Sequence, residues 1–202
     1  MISRRAALRL GAVGLAMPLM GCGDGGWYGT DVSGLLPDLS FRMTRASDGK
    51  VVTQGDYVGQ VVALFFGYTF CPDICPMTLS NLAAVAERLG TDAENLSILF
   101  VTVDPERDTP DVMARYTAAF TSRASGLRGT DNQLARLARR FKVTYKVAPH
   151  APRDVDYAVS HGKSVYVFDA QAQARVMWPS FDTLEADIGG AVGDVRRVMV
   201  EG

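Results

Sequence analysis

Two cysteines four positions apart, Cys71 and Cys75, are the residues of this sequence best suited to chemistry, and they lie in the segment FCPDICP. One helical turn would bring both side chains to the same side of the backbone. Thiolates are soft, nucleophilic ligands, so the pair suits either Cu(I) or reversible formation of a disulfide. Three residues separate the cysteines, one more than in a thioredoxin-type redox pair, and this wider spacing favours a shared metal. A purely structural disulfide is a further alternative.

A metal site would need another ligand, and the sequence contains two histidines, His150 and His161. His150 lies in a polar segment, where we expect it to be solvated. His161 stands just before the apolar segment VYVF. A loop histidine on its own is more often structural or exposed than a ligand, so the residues alone leave metal and redox chemistry both open.

The elements that must position these side chains follow from the hydrophobic pattern. Continuous apolar runs predict strands buried on both faces, and amphipathic spacing predicts helices. The predicted strands are Phe41–Met43, Val51–Val52, Val61–Tyr68, Leu96–Val103, Val165–Phe168 and its hairpin partner Arg175–Trp178; the predicted helices span 76–89, 110–120, 130–141 and 184–200. This alternation indicates an α/β fold with helices on both faces of the sheet. Ligand sites in such sheets lie at the carboxyl ends of strands, which is where the cysteines follow Tyr68.

The amino-acid composition limits the classes of protein to which this chain can belong. The chain has 202 residues, of which 48% are hydrophobic, and this suits one folded domain with short appendages. Lys and Arg total 21 against 22 Asp and Glu, so no basic excess indicates a nucleic-acid partner. Three cysteines are too few for a disulfide-stabilised scaffold.

The amino terminus has the composition of an export signal. Three arginines precede an apolar run that ends at Met20 and is too short to span a bilayer, which predicts a signal peptide over residues 1–21. The sequence LMGC resembles a bacterial lipobox and predicts lipidation of Cys22, whereas an uncleaved short anchor is the alternative. We expect a flexible tether over 22–35, a folded domain over 36–202, and a membrane-anchored lipoprotein of the bacterial cell envelope that faces the periplasm.

Three segments, FFGYTFCPDICPMTLSNL, VTVDPERDTP and VSHGKSVYVFD, resemble the Sco/SenC family of cytochrome c oxidase assembly, and the resemblance covers about residues 36–200. It implies a thioredoxin-like fold, with a central mixed sheet, and one copper ion, Cu(I) or Cu(II), bound by Cys71, Cys75 and His161. It also associates Asp104 with the metal site and with partner docking. Asp73, between the cysteines, would tune their charge or cap the next helix.

The function implied by the resemblance is that of a copper carrier, not an enzyme. The carrier would deliver copper to the binuclear CuA site of cytochrome c oxidase, and its partners would be the oxidase copper-site subunit and an upstream copper donor or thiol reductant. The alternative is a thiol–disulfide oxidoreductase that reduces the cysteines of the oxidase site, or a redox sensor. In that alternative a Cys71–Cys75 disulfide is the functional state, and His161 is dispensable.

Overall fold

The computed structural model describes residues 26–152 and 154–202, so the predicted signal peptide and Cys22 lie outside the described residues. The strands are β1 Thr30–Asp31, β2 Arg42–Arg45, β3 Val51–Thr53, β4 Val61–Gly67, β5 Leu96–Thr102, β6 Ala124–Arg128, β7 Tyr145–Val147, β8 Val159–His161, β9 Val165–Phe168 and β10 Ala174–Trp178. The α-helices are α1 Ile74–Leu89, α2 Pro110–Ala118, α3 Asp131–Arg140 and α4 Ile188–Glu201. Within the described part of the chain, no helix has the length and apolar character needed to cross a membrane.

Eight strands form one mixed sheet in the order β1-β10-β9-β4-β5-β6-β2-β3. The central strands β4, β5 and β6 are parallel, and β9 pairs antiparallel with β4. Phe65, Phe100 and Gly126 stand in register across the three parallel strands, so they lie in one row on one face of the sheet. The two buried strands predicted from continuous apolar runs are thereby confirmed as the centre of the sheet.

Helices cover both faces of this sheet. Gly126 packs against Met113 of α2, so α2 lies on the same face of the sheet as Phe65. Leu64 points to the opposite face and is in register with Tyr166, whose hydroxyl donates to the carbonyl oxygen of Phe141 at the end of α3. The predicted central mixed sheet with helices on both faces is therefore confirmed.

The helix that follows the cysteine segment begins at Ile74, two residues before the predicted position, and Gly90 at φ 61° ends it. Only a residue that tolerates the left-handed region ends a helix there without strain. The last helix begins later than the predicted residue 184. Asp187 caps it by accepting a hydrogen bond of 2.9 Å from the backbone N–H of Gly190.

A small second sheet of two strands borders the polar segment that contains His150, where the hydrophobic pattern predicted no strand. Strands β7 and β8 pair antiparallel, and Tyr145 stands opposite His161. Both strands are only three residues long, and their pairing bridges a polar stretch, so no periodicity marks them. The pairing matters for the site, because it fixes the backbone that carries His161.

The sequence predicted a flexible tether over residues 22–35, but the described residues of that segment are attached to the domain. The buried carboxylate of Asp194 accepts hydrogen bonds from the backbone N–H groups of Tyr28, at 2.8 Å, and Gly29, at 3.0 Å. It also accepts one from Trp178 Nε1 at 2.8 Å. Strand β1 then pairs with β10. The glycine-rich composition gave no indication of this attachment, because the residues that bind the segment lie near the other end of the chain.

Replacement of Asp194 by Ala should lower the free energy of unfolding by about 3 kcal/mol, because two backbone N–H groups and the buried Trp178 Nε1–H lose a charged acceptor. The adjacent Gly193 is exposed, and a Cβ built there meets nothing within 4 Å. Gly193→Ala should therefore raise stability by about 0.5–1 kcal/mol through helix propensity. Urea unfolding of both variants measures the two shifts. An Asp194→Ala variant as stable as the wild type would contradict the attachment.

Candidate metal centre

The structure brings together Cys71, Cys75 and His161. His161 is 86 residues after Cys75 in the sequence. One ligand atom from each residue lies within 4.8 Å of the others. Cys75 Sγ lies 3.4 Å from His161 Nε2. Two thiol sulfurs and one imidazole nitrogen therefore converge on a single point, as a three-ligand metal site requires.

The two cysteines lie at the carboxyl end of β4, as the sequence predicts, but in different surroundings. Cys71 lies in a turn after the strand, its backbone N–H donates to the carbonyl oxygen of Tyr68 at 3.2 Å, and the residue is 8% exposed. Cys75 lies in the first turn of α1 and is fully buried. A Cβ at Gly67 would lie 2.5 Å from Cys75 Sγ, so only glycine allows the sulfur this close to the strand.

His161 is oriented by a backbone carbonyl that sequence analysis could not identify. Its Nδ1 lies 2.8 Å from the carbonyl oxygen of Gly162. Because a carbonyl only accepts hydrogen bonds, Nδ1 must carry the hydrogen, and the lone pair of the neutral ring then lies on Nε2, the nitrogen next to Cys75. The edge of the ring also contacts Tyr68, with centroids 5.7 Å apart. The tautomer and orientation are therefore those that a metal ligand needs.

The pKa values of the two thiols shift in opposite directions because the side chains lie beside each other. The Cys75 side chain lowers the pKa of Cys71 to about 3, and His161 shifts it in the same direction. The Cys71 side chain, together with burial, raises the pKa of the Cys75 thiol far above its ordinary value. Cys71 is therefore the sulfur of the reduced pair that ionises first. A metal that binds both sulfurs must displace the Cys75 proton.

Asp104 lies near the site but outside the set of converging ligand atoms. Its carboxylate is buried, accepts a hydrogen bond of 2.7 Å from the Tyr157 hydroxyl, and pairs with Arg107. Asp73 is exposed before α1, and its side chain makes no capping hydrogen bond to that helix. Asp104 thus holds a neighbouring loop, whereas Asp73 lies at the rim.

Asp108 has a role in the site that the sequence analysis did not assign. Its fully buried carboxylate accepts a 2.6 Å hydrogen bond from the Thr102 hydroxyl, and accepts from both the backbone N–H and the hydroxyl of Thr69. Burial raises its pKa. These bonds tie the start of the cysteine turn to the end of β5. The sequence signal for this role was a second aspartate in the loop after β5. Aspartates are also common in turns, so the signal did not distinguish the two roles.

The site opens into a cavity of about 260 Å³. Cys71 and His161 line it together with the apolar side chains of Tyr68, Ile74 and Val159. Cys75 is absent from this lining and lies beneath it. One side of the converging ligands is therefore accessible, and the other is closed by the protein core.

The fold and site define a class before any relative is considered: a thioredoxin-like domain with two thiols and one imidazole at the sheet edge. Comparison with known proteins narrows the class. The sequence profile of the SCO1/SenC family matches residues 38–195, and the chain belongs to this family.

Relatives by sequence include Protein SCO2 homolog, mitochondrial, of Bos taurus, which is 42% identical over 121 residues; the match covers 59% of this chain and 45% of that protein. Protein SCO1 homolog 2, mitochondrial, of Arabidopsis thaliana is 32% identical over 171 residues, covering 84% of this chain and 59% of that protein. The chain spans about half the length of the relatives it matches.

Solved structures agree with this membership. ScoI of Bradyrhizobium japonicum with copper bound has a TM-score of 0.69 and 32% identity, covering 80% of this chain and 98% of that one. Yeast Sco1 with copper bound has a TM-score of 0.70 and 27% identity, covering 80% and 88%. Apo Sco1 of Thermus thermophilus has a TM-score of 0.73 and 32% identity, covering 86% and 97%.

The lowered pKa of Cys71 leads to a prediction about pH. In the reduced, metal-free protein, one thiolate should persist from neutral pH down to about pH 4, because the pKa of Cys71 is lowered to about 3. In Cys75→Ala the donor is lost, and the midpoint should rise towards the ordinary thiol value of about 8.5. Ultraviolet absorbance of the thiolate, followed against pH, measures both midpoints. An ordinary midpoint in the wild type would contradict the effect of Cys75 on the pKa of Cys71.

Proposed function

We propose that this protein binds one copper ion through Cys71, Cys75 and His161 and delivers it to the binuclear copper site of cytochrome c oxidase. In this role it is a carrier and not an enzyme. The observation that carries the proposal is the approach of His161 Nε2 to 3.4 Å from Cys75 Sγ. A pair of cysteines that only exchanges electrons has no need of an imidazole held in the metal-binding tautomer.

The donor set suits copper in particular. Two thiolates and one imidazole are soft to intermediate ligands, and three of them satisfy Cu(I) without closing its coordination shell. One side of the site is accessible, and an incoming ligand from a recipient protein can enter there. Copper then passes by stepwise exchange, with Cys71, which lines the cavity, released before Cys75, which lies beneath it. The relatives solved with copper bound, ScoI and yeast Sco1, support this choice of metal.

Membership of the SCO1/SenC family supports cytochrome c oxidase as the recipient system. The partners we propose are the oxidase subunit that carries the copper site and an upstream donor that supplies copper or reduces the thiols. Asp73 is exposed at the same sheet edge as the ligands, so this edge is the proposed docking face, and the buried Asp104 supports the loop behind it.

A second candidate function rests on the lowered pKa of Cys71. Cys71 and Cys75 are both free cysteines, and a stable thiolate is the form that attacks or leaves in disulfide exchange. In this function the two cysteines are oxidised to a disulfide while a disulfide of the partner is reduced to two thiols. The recipient cysteines of the oxidase site are the proposed substrate, and a redox-sensing role would use the same pair.

We also propose that residues 1–21 are a signal peptide and that Cys22 carries the lipid that anchors the protein to the bacterial membrane, with the domain facing the periplasm. The basic and apolar composition of residues 1–20 and the segment LMGC support this location. Bacterial lipoproteins carry several acyl chains, and more than one chain is needed for lasting attachment.

The copper proposal predicts one-to-one binding of Cu(I) by the reduced domain from residue 26 onwards, measured anaerobically against a competing chelator. His161→Ala should lower the affinity about 100-fold or more, because one of three ligands is lost, and should still form the Cys71–Cys75 disulfide. His150→Phe is the matched control, because it removes the other imidazole but keeps a ring stacked on Tyr157, and it should bind as the wild type does. Equal affinity of His161→Ala and wild type would overturn the three-ligand site and favour the redox function.

The location proposal predicts a change in fractionation. The full chain, produced in a bacterial host, should remain in the membrane fraction after a high-salt wash, whereas Cys22→Ala should leave that fraction because it cannot be acylated. Cys71→Ala is the control and should stay with the membrane. Identical fractionation of wild type and Cys22→Ala would exclude the lipid anchor.

A further inference from the structure

Arg107 lies at the junction of three chain segments next to the candidate metal centre. Its side chain is only 6% exposed. Nε donates to the Asp104 carboxylate, and Nη1 donates to the carbonyl oxygens of Val155, at 3.0 Å, and Tyr157, at 3.1 Å. The guanidinium group also lies over the Tyr157 ring, 3.7 Å from its centroid. A planar cation with several fixed donors is the side chain that can make these bonds at once.

The side chains of Arg107, Asp104 and Tyr157 each contact the other two, and we call these three residues the Arg107 clamp. The Tyr157 hydroxyl donates to the second oxygen of the same Asp104 carboxylate at 2.7 Å. The outer face of the Tyr157 ring is covered by His150, stacked at 3.7 Å. The clamp therefore fastens the segment around Tyr157 to the loop that follows β5.

That segment leads directly into the strand with the histidine. Tyr157 is four residues before His161, and β8 pairs with β7 in a sheet separate from the eight-stranded one. The main sheet therefore does not position His161 through strand pairing. Arg107 also lies 5.5 Å from the centroid of Tyr68, the ring that contacts His161 and follows β4. It thus contacts both the segment before the cysteines and the segment before the histidine.

We propose that Arg107 is a positioning residue for the metal centre, which holds the hairpin of β7 and β8 so that His161 Nε2 stays beside the cysteine sulfurs. This inference rests on the proposed copper-binding function. The physical reason is preorganisation: a histidine already held in place loses little conformational freedom when it binds the metal. Outer partners of this kind typically contribute about 10- to 100-fold to metal affinity.

The test compares two partly buried arginines. Arg107→Met removes the clamp, and Arg175→Met removes the 3.3 Å pair of Arg175 with the buried Asp169, away from the site. Cu(I) affinity of the reduced protein should fall about 10- to 100-fold in Arg107→Met. It should change by no more than about twofold in Arg175→Met, although unfolding measurements should show both variants destabilised.

The decisive arm repeats the substitution in the His161→Ala background. If Arg107 acts through His161, Arg107→Met should cost less than about threefold in affinity there, because the positioned ligand is already missing. An equal loss in both backgrounds, or no loss in the wild-type background, would overturn the proposal. Arg107→Lys keeps the charge but not the fork of donors, so it should recover only part of the affinity.

A metal-free measurement separates this proposal from the copper function. In the reduced apoprotein, the nuclear Overhauser contact between the rings of His161 and Tyr68 should be present in wild type and Arg175→Met and lost in Arg107→Met. Its persistence in Arg107→Met would refute positioning, even if wild type failed to bind copper. Should Arg107→Met not fold because Asp104 is left unpaired, the double variant Arg107→Met with Asp104→Asn removes both charges and gives the same comparison.

Discussion

The 3.4 Å approach between Cys75 Sγ and His161 Nε2 is the contact on which the metal centre depends. It joins a sulfur beneath the sheet edge to an imidazole on a separate hairpin. The sulfur reaches this depth because Gly67 has no side chain, and the imidazole presents Nε2 because the carbonyl of Gly162 holds Nδ1–H. Both conditions are met before any metal binds, so binding requires little rearrangement of the protein.

Buried carboxylates connect the segments that surround this contact. Asp108 holds Thr69 at the start of the cysteine turn, Asp104 holds Tyr157 before the histidine strand, and Asp194 holds the described amino-terminal segment against α4. A buried charge is tolerated only with several donors around it. Each carboxylate therefore requires particular tertiary contacts, and two of the three act on the chain that carries the ligands.

Much of the fold follows from local sequence patterns. The strands β4 and β5 and the helix α1 are marked by long apolar runs or by helical spacing, and the structure has them within two residues of the predicted bounds. The elements that were missed, β1, β6, β7 and β8, are five residues or shorter. Their stability comes from partners distant in the sequence, so no local period could reveal them.

By itself, the sequence determined the chemical types of the ligands and the spacing that brings Cys71 and Cys75 into one turn, because both are local properties of the chain. The preference for a metal site over a redox pair depends on His161, which is 86 residues after Cys75 in the sequence and is brought next to it by the fold. The tautomer of His161, the lowered pKa of Cys71 and the position of Arg107 were likewise decided by tertiary structure, since each depends on atoms that only the folded chain places in contact.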